Sequence, residues 1–175
     1  MKGGLQLPPH LRADCSACVA LCCVIPPFDA LQGFGFDKPA ESPCHHLCAD
    51  SRCGIHDSLI ERNFAGCVAF DCLGAGQRLT SLAVARFGSA DWRARPEVAR
   101  WLFAAYPRMR LVQEWLAQLS LAAAVSGLAE LRALAAELEA EAPRWPDWSA
   151  AEQSAWQARV QEALAPLAEN QGWRS

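Results

Sequence analysis

The residues of this 175-residue chain that could carry chemistry are nine cysteines: Cys15, Cys18, Cys22, Cys23, Cys44, Cys48, Cys53, Cys67 and Cys72. An odd number cannot pair completely as internal disulfides, so a different use of the thiols is required. Their spacing makes three blocks. The first, Cys15-x2-Cys18-x3-Cys22-Cys23, opens with a C-x-x-C pair, the spacing at which two thiolates on a tight turn converge on one metal ion. Cys22 and Cys23 are adjacent and cannot easily point at the same ion: either one binds while the other packs, or they feed two sites. The second block is Pro43-Cys-His-His-Leu-Cys48 followed by Cys53-Gly-Ile-His56, and the third runs from Cys67 to Cys72. Three such blocks can wrap a polynuclear cluster, or two mononuclear sites of four thiolates or of three thiolates and an imidazole. Thiolate ligands select zinc or an iron-sulfur cluster and exclude calcium and magnesium.

The other candidates rank below the cysteines. His56 follows Cys53 at C-x-x-H spacing and is a weaker ligand candidate; His45 and His46 follow Cys44 and rank lower, and His10 is expected to be solvated. Asp14, Asp50, Asp57 and Asp71 lie near ligand candidates, where surface acids or hydrogen-bond acceptors are expected. Gly74-Ala-Gly76 lacks the frame of a nucleotide loop and reads instead as backbone able to approach a metal site closely.

The elements that must position these residues differ between the two halves. All nine cysteines precede position 75 and all seven tryptophans follow it; the first 75 residues hold five basic and eight acidic side chains, the remainder eleven of each. Frequent Pro and Gly before residue 76 predict loops and short helical turns, the longest from Asp57 to Asn63. Beyond it the apolar spacing is helical. Pro96 opens a helix with Val98, Trp101, Leu102 and Ala105 on one face, and Pro107 is expected to interrupt it. A second helix runs from about Pro107 to Val125 on Met109, Val112, Leu116 and Leu119. A third, after Ser126-Gly127, places Leu128, Leu131, Leu134 and Leu138 inward. After Pro143-Arg-Trp-Pro-Asp147, Ser149 and Glu152 form a capping box behind Trp148, starting a fourth helix with Trp156, Val160, Leu164 and Leu167 inward. The expected fold is mainly α: a loop-rich cysteine metal-binding module (1–76) packed on a small helical bundle (77–175), able to form one compact unit.

The net charge of −3 leaves no surplus for neutralising phosphates, so nucleic acid is not an expected partner. The start, Met1 to His10, lacks the apolar core of a secretory signal, and the longest apolar run, from Ala17 to Ile25, is far short of a membrane span. The expectation is a cytoplasmic protein without a membrane partner, where clustered cysteines read as metal ligands or redox groups.

The ordered series Cys15-x2-Cys18-x3-Cys22-Cys23, Cys44 before Leu47, Cys53-x-Ile-His56, and Cys67 with Cys72 resembles the YkgJ-type cysteine-cluster family, described as a zinc- or iron-chelating domain. The resemblance takes in eight of the nine cysteines and leaves out Cys48. Phe36-Asp-Lys-Pro39, Cys53-Gly-Ile-His-Asp57, Phe64-x-Gly-Cys67, Phe70-Asp-Cys-x-Gly-Ala-Gly-Gln77 and Met109-Arg110 are further similar to the N-terminal region of certain bacterial pentapeptide-repeat proteins. That likeness spans about residues 10–120; beyond it this chain has alanine- and leucine-rich helices and no repeats.

The resemblance implies that Cys15, Cys18, Cys22, Cys23, Cys44, Cys53, Cys67 and Cys72 bind metal; His56, by its spacing from Cys53, and Cys48, which the resemblance leaves out, are lesser candidates. The expected function is metal binding, as an iron-sulfur cluster or zinc, for metal handling, electron transfer or interaction with a partner. The alternative is a metal-dependent enzyme, redox or peptide- or protein-modifying, whose metal keeps an open coordination position, by analogy with the related flagellin lysine methylases. No Ser-His-Asp set, H-E-x-x-H or nucleotide cradle supports catalysis independently, and catalytic residues stay unassigned. The wide Trp and Leu faces suit packing within one chain, and equally a protein partner or a second copy.

Overall fold

The computed structural model describes residues 7–170, and side chains through residue 167. It is mainly helical. Among the described residues there is no strand, only isolated bridges joining Phe28 to Lys38 and Leu47 to Cys53. The cysteine-rich segment holds two short helices, α1 (Leu21–Val24) and α2 (Ala65–Ala69), among single 3-10 turns. The helix expected from Asp57 to Asn63 is not formed: a 3-10 turn covers His56–Ser58, and Asn63 takes a left-handed φ of 64° that stops any helix there.

Four longer helices follow: α3 (Ala75–Phe87), α4 (Pro96–Ser126), α5 (Ala129–Ala140) and α6 (Ala150–Asn170). The two helices expected on either side of Pro107 are one. Pro107 removes a single amide donor and crowds the carbonyl four residues back, but it lies on the exposed side of α4, where water can serve the freed acceptor. The opposite face, with Val98, Leu102, Met109, Val112, Leu116 and Leu119, is continuous across it and fully buried or nearly so. Packing on that stripe outweighs the missing bond.

The capping box forms as expected. Ser149 N–H donates to Glu152 at 2.7 Å, Glu152 N–H donates to Ser149 Oγ at 3.2 Å, and Trp148 stacks on Trp156 with ring centroids 5.9 Å apart. Leu128, expected inward, is exposed, because it precedes the first turn of α5 with extended backbone and so sits off the apolar stripe of Leu131 and Leu138.

One core serves both halves. Leu11, Leu21, Val24 and Ile25 are buried together with Leu79 of α3, Leu102 and Met109 of α4, Leu131 and Leu138 of α5, and Trp145. Trp92 ties the halves further, its indole N–H donating to the Val19 carbonyl at 2.9 Å. Of the seven tryptophans, Trp173 lies outside the described residues. No helix among the described residues is long and apolar enough to cross a membrane.

Candidate metal centre

The first cysteine block is clamped by α3. Gln77, in its first turn, accepts from Asp14 N–H at 2.6 Å and donates to the Arg12 carbonyl at 2.9 Å, fixing the backbone just before Cys15. Thr80, one turn on, accepts from Val19 N–H at 3.2 Å. Arg52, from the second block, donates to the carbonyls of Cys15 and Ser16. Ala20 takes a left-handed φ of 63°, which turns the chain into α1 and carries Cys22 and Cys23 with it. The Cys44 amide then donates to the Cys23 carbonyl at 2.9 Å, docking the second block on the end of the first.

Two glycines bring the third block in. Gly74 has φ of 81°, and a Cβ there would lie 2.4 Å from the His10 carbonyl oxygen. At Gly76 a Cβ would lie 2.6 Å from Cys18 Sγ, so the helix backbone approaches that sulfur more closely than any side chain would allow. Alanine at Gly76 gains about 1 kcal/mol of helix propensity, but overpacking a buried contact costs about 1–3 kcal/mol. We expect Gly76→Ala to be destabilising by about 1 kcal/mol on that balance, read from urea unfolding; a stabilised variant would show that the sulfur moves aside freely.

The thiols fall into two neighbouring sets, defined by whose charge acts on whom. Cys15 and Cys18 each feel Cys22 and Cys72. Cys44 feels Cys53, Cys67 feels both of these, and Cys23 and Cys44 act together on Lys38. The first set is Cys15, Cys18, Cys22 and Cys72 and the second Cys44, Cys53 and Cys67, with Cys23 between them, beside Cys22 and acting with Cys44 on Lys38. Cys22 and Cys23 join them with sulfurs 4.0 Å apart, and Cys22 also acts on Cys67.

Burial is the leading cause that pushes Cys18 and Cys67 up to about 11 and raises Cys15 and Cys44. Cys22 is held well above its ordinary value, first by its hydrogen bond with Cys23 and then by burial. Without metal these five are neutral thiols near pH 7.

Lys38 is buried beside the second set. Its ammonium donates to the carbonyls of Val24, Pro26 and Pro39 at 2.9, 2.7 and 3.1 Å and lies 4.7 Å from the centre of the Phe28 ring. All three ammonium hydrogens are used, and a positive charge is fixed where thiolates would need one.

The remaining candidates stand apart. Cys48 is exposed, with its sulfur against Gly54 and the His46 carbonyl. His56 is exposed beside Asp57 at 3.5 Å. His45 and His46 face each other, ring nitrogens 2.9 Å apart, among Phe36 and Phe64. Asp14, Asp50 and Asp71 each accept from the amide two residues on, closing local turns. Sequence reasoning missed Lys38, Arg52 and Tyr106. Tyr106, the chain's one tyrosine, on a helix face that is apolar apart from Gln113, was the available signal.

Among the described residues, no three Cys, His, Asp or Glu side chains are drawn together closely enough to ligate one ion. The donor chemistry of the cysteine blocks, eight thiols with the buried Lys38 among them, is of the kind that suits a soft metal.

Fold and site together define a helical protein with a cysteine-lined end folded onto its core. The chain is 40% identical over 106 residues to the Uncharacterized protein YybG of Bacillus subtilis (strain 168), a stretch that is 61% of this chain and 37% of that relative. It thus spans little more than a third of the relative's length. No protein-family profile matches the chain, and no solved structure matches it.

Proposed function

We propose that this is a metal-binding protein whose clustered cysteines hold zinc or an iron-sulfur cluster, for metal handling, electron transfer or interaction with a partner. The observation that carries the reading is the gathering of thiols from all three blocks in one region: the Cys22 and Cys23 sulfurs are 4.0 Å apart, the Cys44 amide docks on the Cys23 carbonyl, and the Gly76 turn that follows Cys72 seats against Cys18. Adjacent Cys22 and Cys23 would feed different centres, the arrangement their neighbouring positions favour. The ordered likeness to the cysteine-cluster family supports the same reading. Cys15, Cys18, Cys22 and Cys72 would hold one centre, and Cys23, Cys44, Cys53 and Cys67 the other; the metal would bring its soft-ion chemistry and, for iron, one-electron transfer.

The test is the ultraviolet-visible spectrum of protein purified without oxygen, followed by elemental analysis. A broad brown absorbance near ~400 nm with iron and sulfide marks clusters. A colourless protein with about two zinc ions per chain marks structural zinc. A protein that neither retains nor takes up either metal overturns the reading.

A further inference from the structure

Tyr106 is 3% exposed, and its hydroxyl is buried without a hydrogen-bond partner. A buried phenol normally finds one, and leaving it unpaired costs about 1–3 kcal/mol, so the orphan asks what it is there to meet. Its surroundings answer. Helix α4 packs on α1, which carries Cys22. One turn beyond Tyr106, Arg110 lies over the Phe70 ring at 4.7 Å, two residues before Cys72. Cys18, Cys22 and Cys72 pack against the same core in which Tyr106 is buried. The phenol therefore shares that core with the sulfurs of the first set, and its hydroxyl has no partner there.

A thiol is a weak acceptor and a metal-bound thiolate a strong one. We infer that Tyr106 is a positioning residue for the first set: when metal converts these thiols to thiolates, its hydroxyl donates a hydrogen bond to a ligating sulfur, Cys22 foremost. The inference rests on the proposed metal centre. Burial holds the phenol far above its ordinary range, so it keeps the proton it must donate. The bond would join the helical bundle directly to the centre and draw electron density from the sulfur, which weakens sulfur-to-metal charge transfer and, for a redox metal, raises the potential.

The experiment is a titration of reduced, metal-free full-length protein with cobalt(II), comparing wild type with Tyr106→Phe and with Met109→Leu, a neighbouring core change. The Phe variant should unfold at the same or higher temperature than wild type without metal, since it sheds an unpaired hydroxyl. It should bind cobalt about tenfold more weakly and show a displaced sulfur-to-cobalt charge-transfer band, while Met109→Leu leaves both unchanged. If wild type binds cobalt and Tyr106→Phe matches it in affinity and spectrum, the role of Tyr106 is overturned and the metal centre stands. If wild type takes up neither cobalt nor iron with sulfide, both fall together.

Discussion

Serine at Cys18 is expected to remove half of the bound metal, serine at Cys53 the other half, and the double variant all of it, while serine at Cys48 leaves the full complement. The change is nearly isosteric, but a serine hydroxyl stays protonated where a thiol ionises, and it is a hard ligand to which soft ions bind poorly. Cys18 belongs with Cys15, Cys22 and Cys72, against the first turn of α3 at Gly76. Cys53 belongs with Cys44 and Cys67. Cys48 sits at the surface, its sulfur against Gly54 and the His46 carbonyl. Elemental analysis of the purified variants, normalised to protein, measures the outcome. Loss of all metal in Cys18→Ser alone would mean that the two sets, joined through Cys22 and Cys23, hold a single polynuclear centre. Loss of metal in Cys48→Ser equal to that in Cys18→Ser would mean that the ligand set is wrongly drawn.

The helices from residue 96 onward were legible because burial there follows a 3.6-residue period that survives in the sequence. Val98, Leu102, Val112, Leu116 and Leu119 are all inward as their spacing predicts. Pro107 misled because a proline's local cost is visible in sequence, whereas its exposure, which makes the cost tolerable, is a property of the folded helix. No helix is expected between Asn63 and Pro96, so α3 (Ala75–Phe87) is unanticipated, and its start is obscured because Gly74 and Gly76 look like punctuation. In the structure Gly74 caps that helix, and Gly76, inside its first turn, makes room for Cys18. Within the cysteine half, spacing assigns sulfurs to blocks but not to neighbours. Cys72 joins Cys15 and Cys18 across more than fifty residues because Gln77 and Thr80 hold the two segments together through side chains. Such long-range polar clamps leave no periodic trace. Lys38 was hidden for a related reason: besides its neighbour Pro39, the carbonyls that hold it belong to Val24 and Pro26, more than ten residues earlier, and carbonyls leave no mark in a sequence.

Metal uptake is expected to tighten steeply with pH and to release protons. Cys15, Cys18 and Cys22 of the first set are all raised, Cys18 to about 11, so near pH 7 they are thiols that must each surrender a proton to ligate. Each displaced proton makes the apparent affinity rise about tenfold per pH unit, so three give roughly a thousandfold between pH 7 and 8. Calorimetric titration in buffers of different ionisation heat should count at least three protons released per ion at this set; an affinity flat across that interval would mean that the thiols are already ionised. The same shifts act oppositely on the metal-free fold. A thiol at its ordinary 9.0 in the unfolded chain ionises there, while folded Cys18 and Cys67 keep their protons to about 11. Between those limits the unfolded state binds fewer protons, so stability, fully present below pH 9, falls as pH rises toward 11, by on the order of 2 kcal/mol for the well-buried Cys18. The urea midpoint of reduced, metal-free protein should therefore be lower at pH 10.5 than at pH 8. In metal-loaded protein these sulfurs have already lost their protons, and the thiol contribution to that fall should vanish.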